Sequence, residues 1–330
     1  MDLRNIEKSS NINLFQEIKK LKKDLNATIL SHFYQDEEIQ DIADFVGDSL
    51  DLSRKAASTE SDVIVFCGVK FMAEVAKILS PNKTVLVPDY RAGCSLEDSC
   101  KPAEFAKFKE QYPNALTLTY INCSAEIKAL SDIIVTSSNA KKIIDQIPLE
   151  KDIIFAPDKH LGKYLSKISG RNMILWNGSC IVHEQFSEKE LVKLSVNHPK
   201  ALIIAHPECP ESLLEYADHI GSTSSLLNFV SQNQNQEFIV LTEPHIIHQM
   251  KKINSSSKFY ECNFIDKAGC SICNSCPYMG MNNIEKLYKV MYDFKNNIKQ
   301  EKSYGGQINL DEFISLKAKK SLDKMLKMSV

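Results

Sequence analysis

The sequence predicts an α/β fold: three homologous three-layer αβα sandwich domains, each with a parallel sheet, arranged about a pseudo-threefold axis. Three observations predict it. One long segment recurs three times without a gap. Short apolar runs alternate with amphipathic stretches throughout each copy. Each copy ends on a cysteine just beyond its last apolar run.

The recurring segments are TILSHFYQDEEIQDIADFVGDSL from Thr28, LTLTYINCSAEIKALSDIIVTSS from Leu116 and LIIAHPECPESLLEYADHIGSTS from Leu202. His32, Tyr120 and His206 align at intervals of 88 and 86 residues. Tyr34, Asn122 and Glu208 align with them, as do Asp44, Asp132 and Asp218, and then Ser49, Ser137 and Thr223. A helical pattern precedes each copy: LFQEIKKLKKDLN, AEFAKFKEQYPN and KELVKLSVNHPK. Two further apolar runs with a helical stretch between them follow: VIVFCG, FMAEVAKIL and TVLVPD; IIFAPD, LGKYLSKI and MILWNG; FIVLTE, IIHQMKKI and KFYECN. Runs of Val, Ile, Leu and Phe bounded by Gly, Pro, Asp or Asn read as strands buried on both faces. Strand–helix alternation gives parallel sheets with right-handed crossovers. The expected division is residues 1–98, 99–184 and 185–282, with C-terminal helices over 283–330 packed on the first unit. Open parallel sheets bind ligands beyond the carboxyl ends of their strands. Three such ends turned inward would bring the aligned tips into one chamber.

Composition narrows the function. The 330 residues are 43% hydrophobic and 25% charged with a net charge of −2, which points to no nucleic-acid or membrane-surface partner. Arginine is scarce, at Arg4, Arg54, Arg91 and Arg171. The polar N-terminal stretch MDLRNIEKSS has no apolar core of a secretory signal, and no run of apolar residues is long enough to span a bilayer. The expectation is a cytosolic protein. Its ten cysteines are then buried packing residues, metal ligands or redox thiols.

Unit one closes on AGCSLED with Cys94, and unit two on WNGSCIVHE with Cys180. Unit three closes on KAGCSICNSCPYMG, which holds Cys270, Cys273 and Cys276. Three thiolates meeting on one axis suit an iron–sulfur cluster with one open iron position. An open position is the mark of Lewis-acid chemistry. A local metal loop using Cys270, Cys273 and Cys276 with Cys262 or Cys94 is the competing reading. It would make the chain a non-catalytic redox sensor or cluster carrier.

SHFYQ, IADFVGDSL, AGCSLED, YINCSAE, WNGSCIVHE, HPEC, GSTS and CPYMGMNN resemble, in order, the signatures of the quinolinate synthase family, from roughly Leu14 to Met328. The resemblance implies a [4Fe–4S] cluster held by Cys94, Cys180 and Cys276. It implies condensation of iminoaspartate with dihydroxyacetone phosphate to quinolinate, with loss of phosphate and water, in de novo NAD synthesis. The partners it implies are an aspartate-oxidising enzyme that supplies the imine and the iron–sulfur assembly machinery. Cys270 and Cys273 become neighbours able to form a reversible disulfide.

Seven residues match positions that the family uses around its substrate: His32, Tyr34, Tyr120, Asn122, His183, His206 and Glu208. His206 and Glu208 are the expected proton-transfer pair. Tyr34 and Tyr120 are phenols suited to moving protons or capping the open iron. Ser49, Ser137 and Thr223 sit where a strand meets a helix. They read either as N-caps or as hydroxyls that bind carboxylate or phosphate. Cys67, Cys100, Cys123, Cys209 and Cys262 read as small buried side chains. His160, His198, His219, His245 and His248 read as surface or packing residues, and Met279 and Met281 as packing. Asn309 is the expected N-cap of a last helix.

Overall fold

The computed structural model describes residues 13–265, 271–298 and 305–330. The first sheet holds β1 (Ala27–His32), β2 (Phe45–Gly47), β3 (Val63–Cys67) and β4 (Thr84–Val87). The second holds β5 (Leu116–Tyr120), β6 (Ile133–Val135), β7 (Ile153–Ala156) and β8 (Ile174–Leu175). The third holds β9 (Leu202–Ala205), β10 (His219–Ile220), β11 (Glu237–Leu241) and β12 (Lys258–Glu261). Strand order is the same each time, 2-1-3-4, 6-5-7-8 and 10-9-11-12, with every pair parallel.

The register repeats residue for residue. Leu30 pairs with Phe45, Leu118 with Ile133 and Ile204 with His219; across the other edge they pair with Phe66, Phe155 and Val240. The repeated aspartate has a physical role in this. Asp44, Asp132 and Asp218 each accept the backbone N–H of the first strand, from Ile29, Thr117 and Ile203, at 2.8 Å in all three units. Each aspartate N–H also donates back to the carbonyl of the same strand residue. The acid thus locks the first crossover to its strand at both ends of one residue, which is why the pattern recurs at fixed spacing.

Helices cover both faces, so the central strands β1, β3 and β7 are buried along their whole length. A continuous core cluster runs from the first unit into the second, through Phe66, Phe71, Ile134 and Phe155. Fully buried Lys128 lies in this region; its Nζ is 5.1 Å from the Phe71 ring centre and donates to the Cys123 carbonyl. Cys67, Cys100, Cys123, Cys209 and Cys262 are all buried, as their apolar context suggests.

Of the two C-terminal helices, Ile284–Lys295 packs on the first helix, Leu14–Asp24, through Leu287, Val290 and Met291 against Ile18 and Leu21. The last helix, Glu312–Met328, lies chiefly along helix Ala125–Leu130 and β6 of the second unit, and more lightly on helix Lys70–Leu79 of the first. Its N-cap is Asp311, whose carboxylate accepts from Ile314 N at 3.0 Å, and not Asn309. A charged oxygen at the cap complements the helix dipole better than the amide two residues earlier. A short two-stranded hairpin, β13 (Phe264–Ile265) with β14 (Ser271–Ile272), leads into the cysteine loop, and β15 (Gly306–Gln307) adds antiparallel to β4. No helix among the described residues is long and apolar enough to cross a membrane.

Candidate active site

The ends of β1, β5 and β9 open on one cavity, and all thirteen residues singled out from the sequence line it. They are His32, Tyr34, Ser49, Cys94, Tyr120, Asn122, Ser137, Cys180, His183, His206, Glu208, Thr223 and Cys276. The empty space, counted out to its mouth, is about 690 Å³, in the range of small-molecule sites.

The tips use one local device twice. Beyond β1 the chain turns so that Tyr34 N donates to His32 Nδ1 at 3.2 Å; beyond β9 Glu208 N donates to His206 Nδ1 at 3.4 Å. An imidazole that accepts at Nδ1 carries its proton on Nε2. His206 Nε2 lies 3.3 Å from Ser137 Oγ, a bond from the third unit to the second. Burial lowers the pKa of His32 to about 4 and that of His206 to about 3, so both are neutral donors near pH 7.

Glu208 is 3% exposed, and burial opposes its charge. His183, His206 and the Tyr120 hydroxyl nevertheless hold its carboxyl well below the usual range. Tyr120 OH donates to Oε1 at 2.6 Å, and His183 Nδ1 lies 3.0 Å from Oε2. The phenols of Tyr34 and Tyr120 are pushed well up, by burial first, and stay protonated. Asn122 Oδ1 is buried in the wall with no partner among the described residues, an acceptor open to whatever fills the cavity.

The hydroxyl row is not a row of N-caps. The helix Ser49–Ser58 is capped by Asp48, whose Oδ1 accepts from Leu50 N and Asp51 N at 2.9 Å. The helix Thr223–Gln232 is capped by Ser222. At Ser137 the turn is closed by Asn139 Oδ1, which accepts from Thr136 N at 2.7 Å. In two of the three units the cap thus falls one residue earlier than the hydroxyl, leaving that hydroxyl free to face the cavity. Asp48 does more: its Oδ2 accepts from Ser138 Oγ and, at 2.8 Å, from Ser224 Oγ. These serines occupy the same repeat position in units two and three. One buried carboxylate therefore ties the three aligned turns together.

The three cysteines also share a geometry. Each carbonyl accepts from the residue four later, Asp98, Glu184 and Gly280, so each cysteine opens a helical turn. Backbone N–H groups point at each sulfur: Leu96 and Glu97 at Cys94, His183 at Cys180, Tyr278 and Met279 at Cys276. Burial pushes all three thiols up, Cys276 to about 11, and negative charge on Cys276 raises Cys94, while both raise Cys180. The three cysteines line one cavity, each sulfur with N–H donors aimed at it, a donor set that suits thiolate ligation of a metal centre. Cys180, His183 and Glu208 also bring one ligand atom each within 4.8 Å of one another.

Of the competing metal loop, Cys270 lies outside the described residues. Cys262 is buried in the core of the third unit, and Cys273 is exposed, its Sγ 3.0 Å from Ser275 Oγ. The pairing of Cys270 with Cys273 falls outside the described residues. Sequence reasoning missed Asp48, Thr242 and Glu243, and it took His245 for a surface or packing residue. Glu243, 1% exposed, accepts from Cys276 N at 3.2 Å and lies 2.7 Å from His245 Nδ1. His245 in turn pairs with Asp36, and between the two acids its pKa rises to about 10. Glu243 sits where Asp158 and Val69 sit in the other units. Extending the repeat through the third strand would have exposed it, but a position that holds Val, Asp and Glu gives no chemical signal by itself.

The family model described as "Quinolinate synthetase A protein" matches residues 16–327. A quinolinate synthase of Ehrlichia chaffeensis is 59% identical over 318 residues, 96% of this chain and 98% of that protein. Those of Trichodesmium erythraeum and a Synechocystis strain are each 55% identical, covering 96% and 94% of this chain and 94% of each relative. With three repeats, one shared chamber and a match of this extent, the chain belongs to the quinolinate synthase family.

Proposed function

We propose that the chamber makes quinolinate by condensing iminoaspartate with dihydroxyacetone phosphate, releasing phosphate and water. The observation that carries this reading is the convergence of three kinds of group on one cavity: thiols, ionised and neutral proton carriers, and anion-binding hydroxyls.

Cys94, Cys180 and Cys276 would hold a [4Fe–4S] cluster. Their shared turn geometry and N–H donors suit thiolate ligands, and three ligands leave one iron open. When bound, the cluster supplies a Lewis acid for a substrate oxygen or nitrogen. A single ion on Cys180, His183 and Glu208 is the second reading. It leaves Cys94 and Cys276 unused, although both line the same cavity.

The chain's own residues do the rest. Ser49, Ser137 and Thr223 bind the phosphate or carboxylates, two of them at the starts of ten-residue helices whose dipoles favour anions. Asn122 accepts from a substrate N–H or O–H through Oδ1. Glu208, ionised and flanked by Tyr120 and His183, takes a proton at its carboxylate from carbon or nitrogen. His32 and His206 donate from Nε2, the protonated phenol of Tyr34 stabilises developing negative charge, and Tyr120, whose O–H is bonded to Glu208, holds that carboxylate in place. Burial of the tips keeps water from a hydrolysable imine. That imine would come from an aspartate-oxidising enzyme, and the cluster from the iron–sulfur assembly machinery. The proposed domain limits are 1–98, 99–184 and 185–282.

The test is direct. Protein purified without oxygen is assayed for iron and sulfide, then given dihydroxyacetone phosphate and freshly made iminoaspartate. Multiple turnovers of quinolinate are expected. A cluster-loaded protein that makes none would refute the proposal, and zinc without sulfide would favour the single-ion site.

A further inference from the structure

We infer that Thr242 is a positioning residue that holds two cavity side chains from different units, Tyr34 and His183, in place through one hydroxyl. The inference rests on the quinolinate-forming reading of the chamber.

Thr242 directly follows β11 and is 2% exposed. It lies behind the cavity wall rather than in it. Its Oγ1 is 2.6 Å from Tyr34 OH and 3.0 Å from His183 Nε2. One hydroxyl of the third unit therefore joins a phenol of the first to an imidazole of the second.

His183 Nδ1 in turn faces Glu208 Oε2 at 3.0 Å and Cys180 Sγ at 3.1 Å, and Tyr120 OH donates to the other Glu208 oxygen at 2.6 Å. Thr242 therefore stands behind a chain of bonded side chains that runs from Tyr34 through His183 to Glu208. A hydroxyl is the side chain that accepts and donates in one place; a methyl of the same size does neither.

Thr242→Val removes both bonds while keeping the β-branched shape. It leaves His183 Nε2 and Tyr34 OH without the partner they share. Thr242→Ser keeps the hydroxyl and loses only a methyl. The experiment compares the full-length wild type, Thr242→Ser and Thr242→Val, each with iron and sulfide measured first. We expect Thr242→Val to lower kcat by about 10- to 100-fold, the usual cost of misplaced groups. KM for dihydroxyacetone phosphate and iron content stay within about twofold of wild type, and Thr242→Ser recovers most of kcat. A Thr242→Val enzyme within twofold of wild type overturns the inference. So does a serine variant as impaired as valine, since that outcome assigns the residue to packing.

A second readout does not depend on turnover. In 15N-histidine-labelled full chain, the His183 Nε2 signal should differ between wild type and Thr242→Val and return toward the wild-type position in Thr242→Ser. An Nε2 signal unmoved by Thr242→Val overturns the inference. If the wild type makes no quinolinate, the functional reading fails, while this spectrum still decides what Thr242 does.

Discussion

Asp48→Ala tests whether one carboxylate holds the anion-binding turns in place. Asp48 is 4% exposed and accepts four hydrogen bonds: two from its own helix, and one each from Ser138 and Ser224 of the other units. Losing an N-cap costs about 1 kcal/mol. Two hydrogen bonds to a charged acceptor, with their hydroxyls left to find other partners, cost about 1–2 kcal/mol each. The sum is about 3–5 kcal/mol for alanine. The Asp48→Asn variant would keep the cap, since asparagine caps as well as aspartate, but its amide N–H2 would face two serine hydroxyls that must turn to accept. It should therefore cost about 1–2 kcal/mol. The assay is urea unfolding under anaerobic conditions, with KM for dihydroxyacetone phosphate measured beside it. Both variants should raise KM, because Ser49, Ser137 and Thr223 are carried on the turns that Asp48 joins. If the alanine and asparagine variants unfold at the wild-type midpoint and leave KM unchanged, the carboxylate is not the tie.

Three further outcomes follow from the site. Serine at Cys94, Cys180 or Cys276 should each abolish bound iron and sulfide, whereas Cys273→Ser should keep them, as measured by iron and sulfide content and the visible absorption spectrum. Glu208→Gln removes the ionised base and should lower kcat by about 10²–10⁴-fold, with cluster content unchanged; a loss below tenfold would move the base elsewhere. Acid should destabilise the fold over a defined window. His32 and His206 have folded pKa values near 4 and 3, below the unfolded value near 6.5, so the unfolded chain binds more protons in between. Stability contributed by keeping them neutral is full above about pH 6.5 and falls as pH drops toward 4. In the urea midpoint against pH, His32→Gln with His206→Gln should flatten that slope relative to the wild type.

Much of this was legible in the chain because the repeat is physical. Asp44, Asp132 and Asp218 recur since each closes the same crossover, and the tip residues of units one and three recur two positions apart since the same turn follows the first strand in both. Periodicity could therefore place twelve side chains in one cavity, and the family resemblance added His183. It could not show what lies behind the wall. Thr242 and Glu243 act through Tyr34, His183 and Cys276, contacts that span 208, 59 and 33 residues of chain, and no local pattern encodes them. The caps were misjudged for a related reason. Ser49 and Thr223 look like caps from sequence, but Asp48 and Ser222 immediately before them take that role. The last helix was expected on the first unit and lies chiefly on the second, because periodicity marks its apolar stripe of Ala318, Leu322 and Met325 but not the neighbour that stripe meets.

Repetition of the scaffold and divergence of the tips are two halves of one arrangement. Equal registers in three sheets deliver equivalent backbone positions to the axis, so a group added at a tip reaches the cavity whatever its chemistry. The scaffold can then carry His with Tyr, Tyr with Asn and His with Glu at the same pair of positions, and Val, Asp and Glu at a third. What makes the set work as one site is the cross-unit bonding. Asp48 ties three turns, Tyr120 of unit two donates to Glu208 of unit three, and Thr242 links Tyr34 to His183. Each bond joins groups that the repeat alone would leave independent. A shift of one unit would break several at once, so the site is held by the same contacts that fix the three units against one another.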